Sequence, residues 1–498
     1  MSVSLTKESR IVAKHSLIYG LGNLLNQGLA FFLLPIYTRF LTPRDYGVKE
    51  LVGLSADIIG TLLATAFSSA MYRFYFEYDD PEDRETVIST AIIAIGVIGV
   101  GGVVVLAPLS PLLAEYILDS RELFSFFLIA FCSMWFQVLL NVGYDYLRAN
   151  HQSLRFVGLS FGKLLLAIAL NIYFIIYLKI GVLGVLLSTL ISSMALFGVL
   201  VIPLLVRVGF RFSWERFRDM LQFGAPVVIA QFGAFVVHLS GRFFIKGLGS
   251  IADTGVYSLG YRFGTLPSTF ISGPFNQAFQ PRRLELFKKE ESERVFGRLF
   301  TYYILVIMCA GLFISVLSRN IIMIMADSKF WGSYRIVPFV VLANIVFSLH
   351  YHLTMGIFIA KKTRYLAFID FSNGAFILVL NYFLISHYGM FGAAYASLAA
   401  SIYKVSLTYY LSSRHYRIHF EFFRIFKILF VSALIYAISV FIKIESIYLD
   451  TLVKVLLIGT YPAILYLVRF FYPEELQKAA VYVKPRVRLL RNVLKISA

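Results

Sequence analysis

The feature that most constrains this chain is a succession of fourteen apolar runs, each about twenty residues long, with connections of no more than about 16 residues between them. The first spans 12 to 34, the second 48 to 70, the seventh 220 to 245, the eighth 255 to 279 and the last 451 to 471. A helix of that length crosses the ~30 Å hydrocarbon core of a bilayer. The expected fold is therefore an all-α polytopic membrane protein of about fourteen transmembrane helices. No connection has the length or pattern of an inserted soluble domain, so no catalytic residues and no enzymatic activity are expected. The first run is interrupted by Asn23, Asn26 and Gln27, which fits a retained helix better than a cleaved leader.

Charge then fixes an expected orientation. The net charge of +18 invites a nucleic-acid reading, but the positions of the 46 Lys and Arg residues argue against one. With the amino terminus inside and the runs alternating sides, 31 of them fall on the cytoplasmic side and 10 outside. Both termini are expected in the cytoplasm, in the cytoplasmic (inner) membrane of a bacterium or archaeon. Cys132 and Cys309 both lie inside apolar runs and read as buried thiols. No metal or other cofactor is expected.

Four runs carry polar residues at helical spacing. Ser16, Tyr19, Asn23 and Asn26 line the first; Glu50, Asp57, Thr61, Thr65 and Ser68 line the second. Gln231, His238, Arg242 and Lys246 line the seventh; Ser258, Arg262, Thr265, Thr269, Ser272 and Asn276 line the eighth. A hydrophilic elbow, Pro35 to Gly47, joins the first pair. One polar side chain in a membrane helix commonly serves helix packing, whereas four stripes suggest the walls of a wet cavity. Asp57 sits near the middle of its run, where a charge costs about 2.5 to 3.5 kcal/mol, and so is expected either to hold two helices together or to couple to an ion. Glu50 is a second ion-coupling candidate. Arg242, Arg262 and Lys163 suit an anionic substrate, although Arg242 and Lys163 are also placed to snorkel. Asn23, Asn26, Gln231, His238 and Asn276 complete the expected cavity wall. Gly264, Pro267, Gly273 and Pro274 should break the eighth helix. His350 and His352 are two residues apart, a poor spacing for a metal pair on a helix.

The halves also repeat. At an offset of 208, Gly47 to Glu77 lies on Gly255 to Glu285, with Gly47/Gly255, Thr61/Thr269 and Phe67/Phe275 among the matches. Leu170-Asn171 and Gly181-x-x-Gly184 recur as Leu380-Asn381 and Gly389-x-x-Gly392. The expected organisation is a six-helix bundle at 1–206, a cytoplasmic linker at 207–219 carrying an amphipathic surface helix, a parallel second bundle at 220–411, and two extra helices with a basic tail at 412–498. Asp79, Asp80 and Asp83 have the spacing of a magnesium-diphosphate motif, but no second acidic cluster faces them, so they read as a solvated loop balanced by Arg73 and Arg84.

With the elbow Pro35-Ile-Tyr-Thr-Arg39-Phe-Leu-Thr-Pro43-Arg44-Asp45-Tyr46-Gly47 and the stretch Arg73-Phe-Tyr-Phe-Glu77-Tyr, the six-plus-six-plus-two plan resembles the polysaccharide-biosynthesis, lipid-linked oligosaccharide flippases of the multidrug/oligosaccharidyl-lipid/polysaccharide exporter superfamily. The resemblance implies alternating-access translocation of a polyprenyl-diphosphate-linked oligosaccharide from the inner to the outer leaflet. It further implies exchange for H+ or Na+, contact with membrane lipids, and a polysaccharide polymerase and glycosyltransferases as pathway partners. The alternative is a cation-coupled drug or metabolite exporter of the same superfamily, suggested by Glu50 and Asp57. An intramembrane transferase using Asp79, Asp80 and Asp83 is a distant third.

Overall fold

The computed structural model describes residues 22, 28, 31–287, 292–442 and 444–477. Among them the chain is helical throughout, with no strand. In order, the helices are α1 (Phe31–Phe40), α2 (Pro43–Glu77), α3 (Pro81–Leu118), α4 (Phe124–Ala149), α5 (Ser153–Ile172), α6 (Gly181–Val208), α7 (Trp214–Leu248), α8 (Ile251–Gly264) and α9 (Gly273–Phe287). They continue as α10 (Ser292–Met325), α11 (Val337–Leu353), α12 (Met355–Ile359), α13 (Arg364–Tyr388), α14 (Met390–Ser413), α15 (Phe422–Phe441), α16 (Ile447–Gly459) and α17 (Tyr461–Leu467).

Among the described residues ten helical runs are long and apolar enough to cross a membrane, and the protein is an integral membrane protein. Helix α7 spans 35 residues, whereas α8 and α9, at 14 and 15 residues, are individually too short to cross a membrane.

The elbow is more helical than expected. Residues 35–40 finish α1, and the break is confined to Leu41 and Thr42. Thr42 caps α2 by accepting from the Asp45 amide, and the Asp45 carboxylate accepts in return from the Thr42 amide at 3.0 Å. Pro43 at the first helical position needs no amide partner there. The same device recurs 208 residues later, where Ser250 caps α8 and its hydroxyl donates to Asp253 at 2.7 Å, matching the 2.7 Å bond from Thr42 to Asp45.

Around α2 pack α3, α4 and α6 on one side and α7 and α8 on the other. At the end bearing the elbow, α2 and α8 cross through their first glycines. A Cβ on Gly47 would stand 2.0 Å from the Ile251 carbonyl oxygen, and one on Gly255 would stand 2.0 Å from that of Pro43. Toward the opposite end α7 lies against α2, with Gly224 close to the Ala66 backbone and the Arg73 guanidinium 4.7 Å from the Phe223 ring. Helix α7 also packs on α13 and α14, and α15 and α16 pack on α10.

Three expectations change. The surface linker helix is absent as a separate element: Gly209 to Ser213 is non-helical and tied by Ser89 and Thr90, while Trp214 to Asp219 form the first turns of α7. Ser213 caps that helix, so the helix begins where the cap allows rather than where hydropathy rises. The acidic loop is balanced chiefly across the fold: Asp83 pairs with Arg216 and Glu82 with Arg211, while Asp80 caps α3. Finally, the polar stripe of the eighth segment does not keep to one face. A π-helical stretch, Ser268–Ser272, inserts between α8 and α9 and rotates the helix beyond it. Before it Ser258 accepts from Arg242, whereas Ser272 at its end turns into a buried bond with Tyr303 at 2.7 Å. The break itself falls among Gly264, Pro267 and Gly273, as expected.

Candidate functional site

The crossing of α2 with α8 brings together charges from both halves. Lys49 and Glu50, adjacent in the first turns of α2, form an ion pair at 2.6 Å and are largely enclosed. Arg242 of α7 is 7% exposed, donates to Ser258 at 3.2 Å and lies 4.3 Å from the Tyr261 ring. Arg262 of α8 lies within electrostatic reach of Tyr37, Tyr46 and Glu50. The Lys49 ammonium stands over the Tyr46 and Tyr37 rings at 4.5 and 5.2 Å. Three cations thus surround one carboxylate, inside a sleeve of tyrosines. Aromatic faces stabilise cations and tyrosine hydroxyls accept from them, which lets an excess of positive charge persist away from bulk water. The net positive charge of such a cluster attracts an anion, and arginine forks suit phosphate oxygens.

From Lys49 a cavity of about 330 Å³ extends along α2 between α4 and α6. Asp57 and Thr61, both exposed, line it with Ser133, Gln137, Asn141 and Thr189. The Asp57 carboxylate therefore opens onto this cavity. Lys163 of α5 reaches across and donates to Gln137, whose amide lies 3.5 Å from Asn141. Lys163 is therefore held at the cavity wall by a neutral partner. Asp57 shares this cavity with amide and hydroxyl side chains. Among the described residues no three His, Cys, Asp or Glu side chains assemble for a tighter metal site.

On the other side of Arg262 lies an apolar groove of about 640 Å³. Leu266, Pro267 and Phe270 from the broken helix form one wall, with α10 and the α16–α17 pair, including Phe313 and Pro462, opposite. Leu266 is one helical turn past Arg262, so a single helix carries both a cation of the cluster and the entrance to the groove.

The sites of the other expected residues are mixed. Asn276 lies on α9, half-buried, beyond the π stretch and away from the cluster's helical turn. Asn23 and Asn26 lie outside the described residues, as do the side chains of Gln231 and His238. His350 bonds Thr408 at 2.8 Å, while His352 packs among Phe275, Phe279, Phe300 and Tyr303, so the two diverge as their spacing requires. Cys132 and Cys309 are free thiols. Sequence reasoning missed Lys49, Tyr37, Tyr46, Gln137 and Asn141. The last two are four residues apart on α4, a signal that was available, whereas Lys49 next to Glu50 breaks the helical period and so stood outside the stripe.

The fold is that of membrane transporters. A structure titled "Lipid II flippase MurJ, inward closed conformation" aligns with TM-score 0.71 and 15% identity over 91% of this chain and all of that one. An inward-facing multidrug resistance MATE transporter of the MOP superfamily aligns with TM-score 0.60 and 17% identity, over 79% of this chain and 98% of the other. The Vibrio cholerae MATE transporter VcmN in its bent form gives a TM-score of 0.52 and 15% identity, over 84% and 100%. The chain belongs to the family described as polysaccharide biosynthesis protein, whose model matches residues 36–335. No curated protein sequence matches it.

Proposed function

We propose that this protein is a flippase that carries a polyprenyl-diphosphate-linked oligosaccharide from the inner to the outer leaflet of the cytoplasmic membrane, for surface polysaccharide assembly. The observation that carries this reading is the surplus of cations at the crossing of α2 and α8, Lys49, Arg242 and Arg262 against Glu50, one turn from an apolar groove. An amphiphile with an anionic head and a long tail fits both parts at once. The diphosphate takes the place of Glu50 as anionic partner of the arginines, the sugars lie in the polar cavity beside α4 and α6, and the tail leaves through the groove. Membership of the polysaccharide biosynthesis family supports the substrate class.

In this reading the elbow end faces outward and both termini lie inside, as the charge bias suggests. Residues 1–206 and 220–411 act as two lobes, with 207–219 linking them and 412–498 appended. Opening requires the Gly47–Gly255 crossing to separate. The negative substrate moves outward with an inside-negative potential, which favours it by about 2.3 kcal/mol per charge per 100 mV. Asp57 exchanges a proton or Na+ between the two states. A cation-coupled exporter of drugs or metabolites is the second reading; Asp57 in the polar cavity favours it, and the three enclosed cations oppose it.

The test is translocation in proteoliposomes. Protein-dependent exposure of a lipid-linked oligosaccharide in the opposite leaflet, lost in Arg242→Ala with Arg262→Ala, supports the proposal. Export of organic cations with indifference to lipid-linked sugars would replace it with the second reading.

A further inference from the structure

A second basic site lies far from the cluster, where two connections meet at the end of the helices opposite the elbow. One is the turn between α12 and α13, with Lys361, Lys362 and, at the start of α13, Arg364. The other joins α14 to α15 and carries Arg414, His415, Arg417 and His419. The Tyr365 and His415 rings, 6.0 Å apart, show that the two are neighbours. Elsewhere at this end basic residues are matched to acids, as in Arg73 with Glu77, Arg211 with Glu82 and Arg216 with Asp83. Lys361, Lys362, Arg364, Arg414 and Arg417 are exposed, and none has a carboxylate within ion-pair distance among the described residues. The acids nearby are engaged: Glu293 with His419 at 3.0 Å and Glu421 with Arg424 at 3.0 Å.

The charge borders a built pocket. A cavity of about 420 Å³ is lined by Ser413, Tyr416, Arg417 and His419, with Tyr409 and Phe420 on its apolar side. Its shape is held from two directions. A Cβ on Gly297 would stand 1.9 Å from the His419 carbonyl oxygen, and one on Gly356 would stand 2.2 Å from that of Ser412. The Gly356 amide donates to Ser412 at 2.9 Å, and the Tyr416 and Ser292 hydroxyls bond at 2.8 Å. The pocket is thus preorganised, which removes most of the ordering cost of binding.

The exposed aromatics beside it point to the ligand. Tyr409 lines the pocket, Tyr410 follows it in the chain, and Phe422 and Phe423 come just after the lining residue Phe420, all exposed in the manner of an interfacial aromatic belt. From there Phe422, Phe426 and Phe430 run along α15 at i, i+4 and i+8, all more than half exposed, as a stripe against which acyl chains can lie. We infer that this pocket binds the phosphate head group of an anionic lipid of the cytoplasmic leaflet, with Arg417 and the Lys361–Lys362 turn facing the phosphate. The leaflet, though not the chemistry, rests on the orientation proposed above. The bound lipid bridges the second bundle and the appended helices without entering the cavity.

Native mass spectrometry of the full chain in detergent tests this, with phosphatidylglycerol, phosphatidylcholine or inorganic phosphate added. The wild type retains phosphatidylglycerol over phosphatidylcholine. The Lys361→Ala, Lys362→Ala, Arg417→Ala triple variant loses about fivefold in retention per cation removed, and Arg417→Lys keeps most of it. A control that removes cations elsewhere, Arg39→Ala with Arg44→Ala at the elbow, binds as the wild type does. Equal retention of the two lipids, equal loss per cation in the control, or displacement of lipid by inorganic phosphate at matched concentration overturns the assignment. Because the readout is binding in detergent, it is independent of transport. Reagent accessibility of a Lys362→Cys variant in right-side-out vesicles tests the leaflet separately: protection places the site inside, and labelling from outside overturns the orientation while leaving the lipid result intact.

Discussion

Helix α2 and the α8–π–α9 run occupy equivalent places in the repeat, yet one is continuous over 35 residues and the other is broken twice. Their first turns are alike: the Thr42–Asp45 and Ser250–Asp253 caps coincide at the 208-residue offset, and Gly47 and Gly255 make reciprocal contacts. They diverge further along, where Ile59, Thr65 and Ala66 of α2 correspond to Pro267, Gly273 and Pro274. Proline removes an amide donor and glycine lowers the cost of bending, so the second copy cannot remain one α-helix. The chemistry diverges with the backbone. Asp57 corresponds to Thr265, which turns back to bond the Arg262 carbonyl, and Arg262 corresponds to Leu54. The unbroken copy therefore carries the acid that lines the cavity, and the broken copy carries the arginine and the groove. The crossing is common to both copies, whereas the groups proposed for ion coupling and for substrate binding are divided between them.

The sharpest way to break that division is to exchange the contributions of equivalent positions. Arg262→Ala should cost about 2–5 kcal/mol in affinity for a polyprenyl diphosphate, read by titration in detergent, because a charged partner of the phosphate is removed. Leu54→Ala, its counterpart, should leave that affinity unchanged. A similar loss in both would mean that the cluster acts through packing alone.

The crossing itself comes next. Gly47→Ala and Gly255→Ala each place a methyl on a facing carbonyl, and each should destabilise the closed arrangement by about 1–3 kcal/mol, seen as a lowered thermal midpoint in detergent. Since the contacts are reciprocal, the two variants should behave alike; a large effect of only one would show that the symmetry is not mechanical.

Smaller effects should separate groove from cavity. Phe270→Ser should weaken binding of a long-chain polyprenyl diphosphate by about 1 kcal/mol and leave a short-chain analogue unaffected, since only the former reaches the groove. Asp57→Asn should change substrate affinity least of all, within about 0.5 kcal/mol, while abolishing the dependence of transport on the driving ion. Retained coupling in that variant would move the ion site elsewhere.

Much of this arrangement was legible in the sequence because bilayers impose simple rules. Apolar runs and the distribution of Lys and Arg led to the membrane fold, and the period of the stripes picked out Asp57, Arg242 and Arg262, although among the described residues the polar cavity is lined from α2, α4 and α6 and not from α7 or α8. Spacing could not reveal the face on which a stripe ends once a π turn intervenes, so Ser272 was grouped with residues it does not join. Nor could it reveal partners distant in sequence, such as Arg216 for Asp83 or Gln137 for Lys163. Lys49 escaped notice for a different reason: its importance lies in the tyrosines of α1 and α2 around it, a three-dimensional property with no linear period.

The central claim, that the cations at the α2–α8 crossing receive a lipid diphosphate, is tested most directly by translocation of a polyprenyl-diphosphate-linked oligosaccharide in proteoliposomes containing wild type, Arg242→Ala with Arg262→Ala, or Asp57→Asn. The wild type should translocate in an ion-dependent manner, the arginine variant should lose both binding and translocation, and the aspartate variant should retain binding without ion-driven accumulation. Undiminished translocation by the arginine variant would contradict the central claim.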